Sequence, residues 1–251
     1  YINMNDTRIP KIIHYIWLGT RPLDKVSQKC MNTWGKYLPD YEVKRWGDDE
    51  CRDIINSNLY ARQAYEAKKY AFVSDYLRVY ILYNYGGVYM DTDVQMFKSI
   101  DRFLIHGAFT CFENKTQIPT ALMASAKGNQ WMKALLDYYD DKSFIDADGH
   151  MDITTNVDAI TNVSLGMGFV PNAQIQVFSD DVHIYTKDYF CPIDTKNKAN
   201  DIFTENTYAA HLYNGSWRSP LRQKLSKIKK KFGINVNKIF PKFIVRLLEI
   251  I

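Results

Sequence analysis

Asp91 and Asp93 flank a single threonine directly after the apolar run Val88-Tyr89-Met90. In extended chain, residues two apart project to the same side. The spacing therefore predicts two carboxylates converging where a buried strand ends, the edge at which open α/β sheets place ligands. Two such charges repel each other, and a divalent cation relieves the repulsion. Carboxylate oxygens suit Mg2+ or Mn2+. A cation held there bridges to a diphosphate and stabilises negative charge on a departing group.

Spacing alone does not single out this pair. Asp146-Ala147-Asp148 repeats it in a polar stretch before Gly149, following no strand, and reads as solvated loop acids. What sets Asp91 and Asp93 apart lies upstream. Asp75 and Arg78 are three residues apart, so they share a helix face. They belong to Tyr70–Tyr85, where Phe72, Val73, Tyr76, Leu77, Tyr80 and Ile81 recur at helical period. Gly86-Gly87 ends that helix, because glycine accepts the left-handed backbone that helix termini favour. The acidic strand follows at once.

The remaining elements frame this pair. Lys11–Trp17 is an apolar run closed by Leu18-Gly19-Thr20-Arg21-Pro22 and reads as a buried strand. A helix over Leu23–Tyr37, a strand over Tyr41–Trp46 and a helix near Glu50–Asn56 follow. Ala108–Phe112 reads as a strand, Gln130–Tyr139 as a helix, and Ile175–Tyr185 as two short strands; 140–156 stays unassigned. Alternating strands and helices predict a mostly parallel α/β sheet flanked by helices.

With 251 residues, 46% of them hydrophobic, the chain can bury the core of one large α/β domain. Its net charge of +4 is unevenly placed. Residues 222–251 carry nine Lys or Arg against one Glu, which leaves the body slightly acidic. That distribution argues against a nucleic-acid binder. The expected layout is a domain over 1–220 and a basic, amphipathic helical extension over 221–251. The basic stretch beside apolar Phe243–Ile251 suits peripheral contact with an anionic membrane surface. No run reaches the ~18 apolar residues of a membrane-spanning helix. Cys30, Cys51, Cys111 and Cys191 are scattered and read as reduced and buried. The expected location is the cytoplasm, at the inner face of the membrane.

Ser74-Asp75-Tyr-Leu-Arg78 followed by Gly86-Gly87-Val-Tyr89-Met-Asp91-Thr-Asp93 resembles the sugar-transferase region of glycosyltransferase family 32. That family includes bacterial capsule and surface-polysaccharide transferases and fungal initiating mannosyltransferases. The same stretch is similar to the catalytic domain of the large clostridial glucosylating toxins. Ile9–Gly19, Trp34 with Pro39-Asp40-Tyr41-Glu42, Tyr189-Phe-Cys-Pro192 and His211-Leu-Tyr-Asn-Gly-Ser216-Trp217 resemble further family motifs, in order, from Ile9 to Trp217.

The resemblance implies a GT-A-like, Rossmann-like fold and a metal-dependent, retaining transferase. Its donor would be a nucleotide diphosphate sugar, UDP-linked in preference to GDP-linked. It implies that Trp17 stacks on the base with Leu18 beside it, and that Asp75 and Arg78 hold donor sugar hydroxyls and phosphate. Tyr89 would pack along the nucleotide, Asp91 would contact ribose and metal, and Asp93 would ligate the metal. His211 would complete the Mn2+ or Mg2+ shell, although the family often has a His-His pair where this chain has His211-Leu212. Ser216 and Trp217 would close over the diphosphate. Asp91, Asp93 and Arg78 form the expected catalytic set, and Glu113 and Asp158 are further acids that an acceptor could meet. The acceptor would be a saccharide or lipid-linked glycan in capsule or surface-polysaccharide assembly. Three alternatives stay open: a toxin-like effector glycosylating a host protein, a metal-dependent phosphoesterase, and a non-catalytic sugar-binding relative.

Overall fold

The computed structural model describes residues 7–215. Ser216, Trp217 and the expected extension over 221–251, with its membrane contact, lie outside the described residues.

The chain begins with β1 (Ile12–Ile16), whose last four residues are buried, and passes into α1 (Lys25–Tyr37). Asp24 caps α1 by accepting from the amides of Val26 and Ser27, both at 2.9 Å. β2 (Glu42–Trp46) follows, then α2 (Asp48–Ser57) and α3 (Leu59–Glu66). Next comes α4 (Tyr70–Tyr85), which buries Val73, Tyr76, Leu77, Val79, Ile81 and Leu82 and packs on the sheet. Each such aliphatic side chain contributes about 1.5–3 kcal/mol by leaving water.

After α4 come β3 (Gly87–Met90), buried at every position, and β4 (Val94–Met96). The chain continues through β5 (Ala108–Cys111), β6 (Leu122–Ser125), α5 (Gln130–Asp137) and α6 (Asn156–Leu165). It closes with β7 (Gln176–Phe178), β8 (Val182–Tyr185) and β9 (Ala209–His211).

Seven strands form one sheet in the order β2-β1-β3-β6-β5-β8-β7. β1, β2, β3, β5 and β8 run one way; β6 and β7 oppose them. The expected mostly parallel sheet is therefore present, with β6 inserted antiparallel at its centre. Sequence pattern predicts none of α3, β4, β6, α6 and β9. Leu-Met-Ala-Ser has no alternation, because a central strand covered on both faces has no polar side to show. β4 and β9 pair separately as an antiparallel ribbon with Val94 opposite His211. The four cysteines are free and buried, as expected. Among the described residues no helix is long and apolar enough to cross a membrane.

Two glycines let α4 turn directly into the central strand. Gly86 caps the helix at φ +67°, and a Cβ there would meet the Lys127 amide at 2.7 Å. At Gly87 (φ +107°) a Cβ would sit 2.7 Å from the Ile12 carbonyl oxygen and 2.8 Å from His14 Nε2. Gly87→Ala combines forbidden backbone geometry with overpacking against backbone, and should cost about 3 kcal/mol in urea unfolding. Unchanged stability would show that β1 and β3 separate freely.

His14 is 1% exposed, and both of its ring nitrogens are used. Trp46 Nε1 donates to Nδ1 at 3.1 Å, so the proton sits on Nε2, which donates to the Gly86 carbonyl at 2.8 Å. Burial, with a smaller contribution from Lys44, lowers the His14 pKa from 6.5 to about 4 against the Gly86 hydrogen bond. A depressed folded-state pKa means that the unfolded chain binds the extra proton first. The neutral imidazole's contribution is thus full above pH 6.5 and is lost as pH falls towards 4. It amounts to roughly 3 kcal/mol. Urea midpoints should fall across that window, and His14→Gln should flatten the slope; an equally steep variant profile would remove His14 as its source.

Candidate functional site

The glycine turn delivers β3 to the centre of the sheet, and the chain bends immediately after Met90. Asp91, Thr92 and Asp93 form a turn closed by Val94 N donating to the Asp91 carbonyl at 3.0 Å. The two carboxylates converge because the backbone folds there. This corrects the extended-strand geometry expected from their spacing. The turn is anchored on every side. The Asp91 amide donates to the Ala121 carbonyl at 2.8 Å, and Leu212 N donates to the Asp93 carbonyl at 3.0 Å. Thr92 Oγ1 lies 3.1 Å from Ser27 Oγ on α1, and Trp34 Nε1 donates to the Val94 carbonyl at 2.7 Å.

The β4–β9 ribbon brings in His211 from far along the chain. Its Nε2 lies 3.3 Å from Asp93 Oδ1 and 4.0 Å from Asp91 Oδ2. One ligand atom from each of Asp91, Asp93 and His211 falls within 4.8 Å of the others. Burial works against protonating His211, but the Asp93 hydrogen bond and the charges of Asp93, Asp91 and Glu113 outweigh it and raise its pKa. Two carboxylates around an imidazole thus create a pull for positive charge, which a proton or a cation can answer. Oxygen donors with one imidazole nitrogen suit Mn2+ well and Mg2+ less well. The residues fit the expected cation.

Behind this group lies a buried ionic layer. Arg78 is 5% exposed, yet every face of its guanidinium is engaged. Nη2 donates to Asp75 Oδ1 at 3.0 Å, Nη1 to the Thr120 carbonyl at 2.7 Å and Nε to the Ser74 carbonyl at 3.2 Å. Nη1 also lies 3.7 Å from Asp91 Oδ1, and the guanidinium stacks over the Tyr89 ring at 4.6 Å. Desolvation opposes the charge, but Tyr89, Asp91 and Asp75 overcome it and hold Arg78 cationic. Tyr89 is 2% exposed beneath Arg78 and reaches the site through its hydroxyl, which donates to Asp91 Oδ1 at 2.8 Å.

Asp75 differs from the other acids. Burial, then repulsion from Asp91, raises its pKa to about 6, against the stabilising Arg78 charge and a contribution from Asn156. Asn156 opens α6, and its buried Nδ2 has no hydrogen-bond partner at normal distance among the described residues. It is a polar group facing the ionic layer that sequence pattern did not flag. An asparagine beside a helix cap carries no spacing signature.

Trp17 follows β1, which runs parallel to β3, so it belongs to the same sheet edge as Asp91. It is half-buried, with Nε1 donating to the Arg21 carbonyl at 2.7 Å. Leu18 packs against the core. The loop beyond is fixed by the Gly19 amide donating to Asp48 Oδ2 at 2.8 Å. Asp158 is occupied in capping α6, accepting from Thr155 Oγ1 at 2.6 Å and from Gln117 Nε2 at 2.7 Å. Asp146, Asp148 and His150 are exposed, and Asp146 Oδ1 accepts from the amides of Asp148 and His150 in its own loop. Ser216 and Trp217 fall outside the described residues.

Residues 24–110, which include Asp75, Arg78, Asp91 and Asp93, match the family described as "Glycosyltransferase sugar-binding region containing DXD motif". The chain is similar to inositol phosphoceramide mannosyltransferase 3 of Schizosaccharomyces pombe, 30% identical over 129 residues, 49% of this chain and 35% of that protein. It is also similar to an uncharacterized glycosyltransferase of Acanthamoeba polyphaga mimivirus, 25% identical over 225 residues, 88% of this chain and 87% of that one. Among solved structures, the PaToxG glycosyltransferase aligns with a TM-score of 0.47 and 20% identity, over 63% of this chain and 69% of that chain. The chain spans about a third of the length of the Schizosaccharomyces mannosyltransferases it matches.

Proposed function

We propose, from the match of residues 24–110 to the DXD-containing glycosyltransferase sugar-binding region, that the chain is a metal-dependent, retaining glycosyltransferase. It moves a sugar from a nucleotide diphosphate, UDP-linked in preference to GDP-linked, to a glycan or lipid-linked acceptor in surface-polysaccharide assembly. In that transfer the bond from the anomeric carbon to the diphosphate oxygen breaks. The acceptor hydroxyl oxygen bonds to the anomeric carbon, and its proton leaves.

The observation that carries the reading is the meeting of Asp91, Asp93 and His211 at one sheet edge, backed by the Arg78 layer. These three residues would hold Mn2+ or Mg2+, whose role when bound is to neutralise the departing diphosphate. Arg78 aims one carboxylate, Asp91, and orients a second, Asp75. Asp75 at the rim of that layer suits sugar hydroxyls, and Asn156 Nδ2 beside it offers a further donor, its Oδ1 being held by the Tyr139 hydroxyl at 3.3 Å. The half-buried Trp17 offers a face for the base, and Tyr89 acts on the nucleotide through Asp91.

Relatives named as mannosyltransferases of inositol phosphoceramide support testing a mannosyl donor and a lipid acceptor beside UDP-hexoses. The deciding experiment is a panel of UDP- and GDP-sugars assayed for hydrolysis and binding with and without Mn2+. Donor turnover that appears only with the cation supports the reading. Phosphodiester cleavage without release of a sugar nucleotide's glycosyl group would replace it with a phosphoesterase, and metal-dependent binding without turnover with a sugar-binding protein.

A further inference from the structure

The sheet edge opposite the DXD turn carries a second set of converging donors. β5 and β8 run parallel to β3, so their starts lie at the edge away from Asp91. His106 precedes β5, Asp181 closes the turn between β7 and β8, and His183 is the second residue of β8. One ligand atom from each falls within 4.8 Å of the other two. We propose that His106, Asp181 and His183 form a second cation site, selective for a nitrogen-preferring divalent metal of the Zn2+ class, which clips the start of β5 to the β7–β8 turn.

The surrounding hydrogen bonds orient Asp181 and His106 as outer-shell partners do in metal sites. Asp181 Oδ2 is taken by the Gly107 amide at 2.8 Å and by Arg8 Nη1 at 2.9 Å. Oδ1 is left pointing at His183 Nε2, 2.8 Å away. His106 Nε2 pairs with the Tyr185 hydroxyl at 2.8 Å, which leaves its other ring nitrogen, Nδ1, to serve a cation. The two imidazoles stack with centroids 3.5 Å apart and planes 17° from parallel. Two imidazolium cations would not pack face to face.

The backbone beneath is held in place. Asp180 and Asp181 both adopt left-handed φ, at +56° and +58°. The Asp180 carbonyl accepts from Asn129 Nδ2 at 3.1 Å, and Asp180 Oδ2 accepts from the Gln130 amide at 2.7 Å. The Ala108 amide donates to the Asp181 carbonyl at 3.2 Å. Gly107 is required, since a Cβ there would overlap the Asp180 carbonyl oxygen. A turn bound this firmly keeps the carboxylate beside the histidines. Cation binding exchanges the His183–Asp181 hydrogen for the metal and splays the two rings, because imidazole lone pairs lie in the ring plane. The soft terminal torsion of histidine allows that rotation. Two imidazoles and one carboxylate are the donor set of zinc and its neighbours, whereas Mg2+ and Ca2+ prefer all-oxygen shells.

The test uses chelator-stripped full-length protein carrying Asp93→Asn, which disables the DXD site, titrated with Zn2+ and with Co2+. One equivalent of Zn2+ should bind and raise Tm, and Co2+ should give visible d–d absorption. His183→Ala and Asp181→Asn should each weaken binding by more than the roughly 10–100-fold typical of losing an outer-shell partner. If His183→Ala does not fold, Asp181→Asn, which keeps the side chain's shape, decides the matter alone. Zn2+ stoichiometry and Tm response unchanged in Asp181→Asn, or absent from the Asp93→Asn parent, would overturn the site and leave the cluster a hydrogen-bonded clasp of the turn.

Discussion

Asp93→Asn is expected to lower Mn2+-dependent donor turnover by about three orders of magnitude while leaving the apo protein folded. Asp93 is 6% exposed, and its Oδ1 lies 3.3 Å from His211 Nε2, which is itself 4.0 Å from Asp91 Oδ2. Its backbone anchors to Leu212 and its place in the turn do not depend on the carboxylate. The amide loses one anionic ligand and, with it, the field that stabilises a departing diphosphate; removing single electrostatic contacts of this kind costs about 10²–10³ in rate, and a metal ligand costs more. The discriminating readout is thermal. A cation that binds only the native state raises Tm with concentration. Protein carrying His183→Ala with Asp93 intact should show this with Mn2+, and the same background with Asp93→Asn should not. Undiminished turnover in the variant would take the metal away from this turn.

Arg78→Ala should produce the largest loss of stability of any substitution in the site. The side chain neutralises Asp75 and Asp91, donates to two backbone carbonyls and covers the Tyr89 ring. Truncation leaves two acids facing each other across a cavity, with a Thr120 carbonyl unsatisfied. Breaking a buried ion pair from one side costs about 3–5 kcal/mol, which for a chain of this size lowers Tm by roughly 10 °C. Donor turnover should vanish with it. Arg78→Lys separates the two effects. Lysine restores the charge but not the planar fork that reaches Asp75 and Thr120 together. It should recover most of the stability and little of the activity. Full recovery of activity would mean that Arg78 acts only as a point charge.

Acid conditions should weaken the site in a predictable direction. His211 has a raised pKa and Asp75 titrates at about 6, so falling pH places a proton on one metal ligand and discharges the carboxylate beside Arg78. Mn2+ affinity should drop as pH decreases towards 6, and replacing His211 with alanine should remove part of that dependence. An affinity independent of pH would place the cation elsewhere.

How much of this was legible depends on how local each signal is. The α4 helix could be read because its apolar period and terminal glycines act within a few residues. β1 and β5 could be read because buried strands are short apolar runs between breakers, and β2, largely exposed at the sheet's edge, because Pro39-Asp40 and Gly47 bound it. β6 could not be read, because Leu122–Ser125 is a strand only by filling the slot between β3 and β5. The Asp91–Asp93 pair was found by spacing, yet the extended geometry that spacing suggested gave way to a turn, since the Val94 amide is satisfied by Asp91. The resemblance placed His211 in the site, but its position opposite Val94 is a matter of pairing between strands more than a hundred residues apart. Asn156 and the His106–Asp181–His183 cluster left no local trace.

By itself the sequence determined the residue types, the helix that carries Asp75 and Arg78, and the glycine hinge that aims the following strand. Each of these follows from backbone preference and side-chain periodicity over a few turns. Only the tertiary structure decided that Arg78 is buried between two carboxylates, that a ribbon from the far end of the domain returns an imidazole to them, and that two histidines stack at the opposite edge. Those outcomes depend on packing between distant segments, where burial converts ordinary polar side chains into strongly coupled charges.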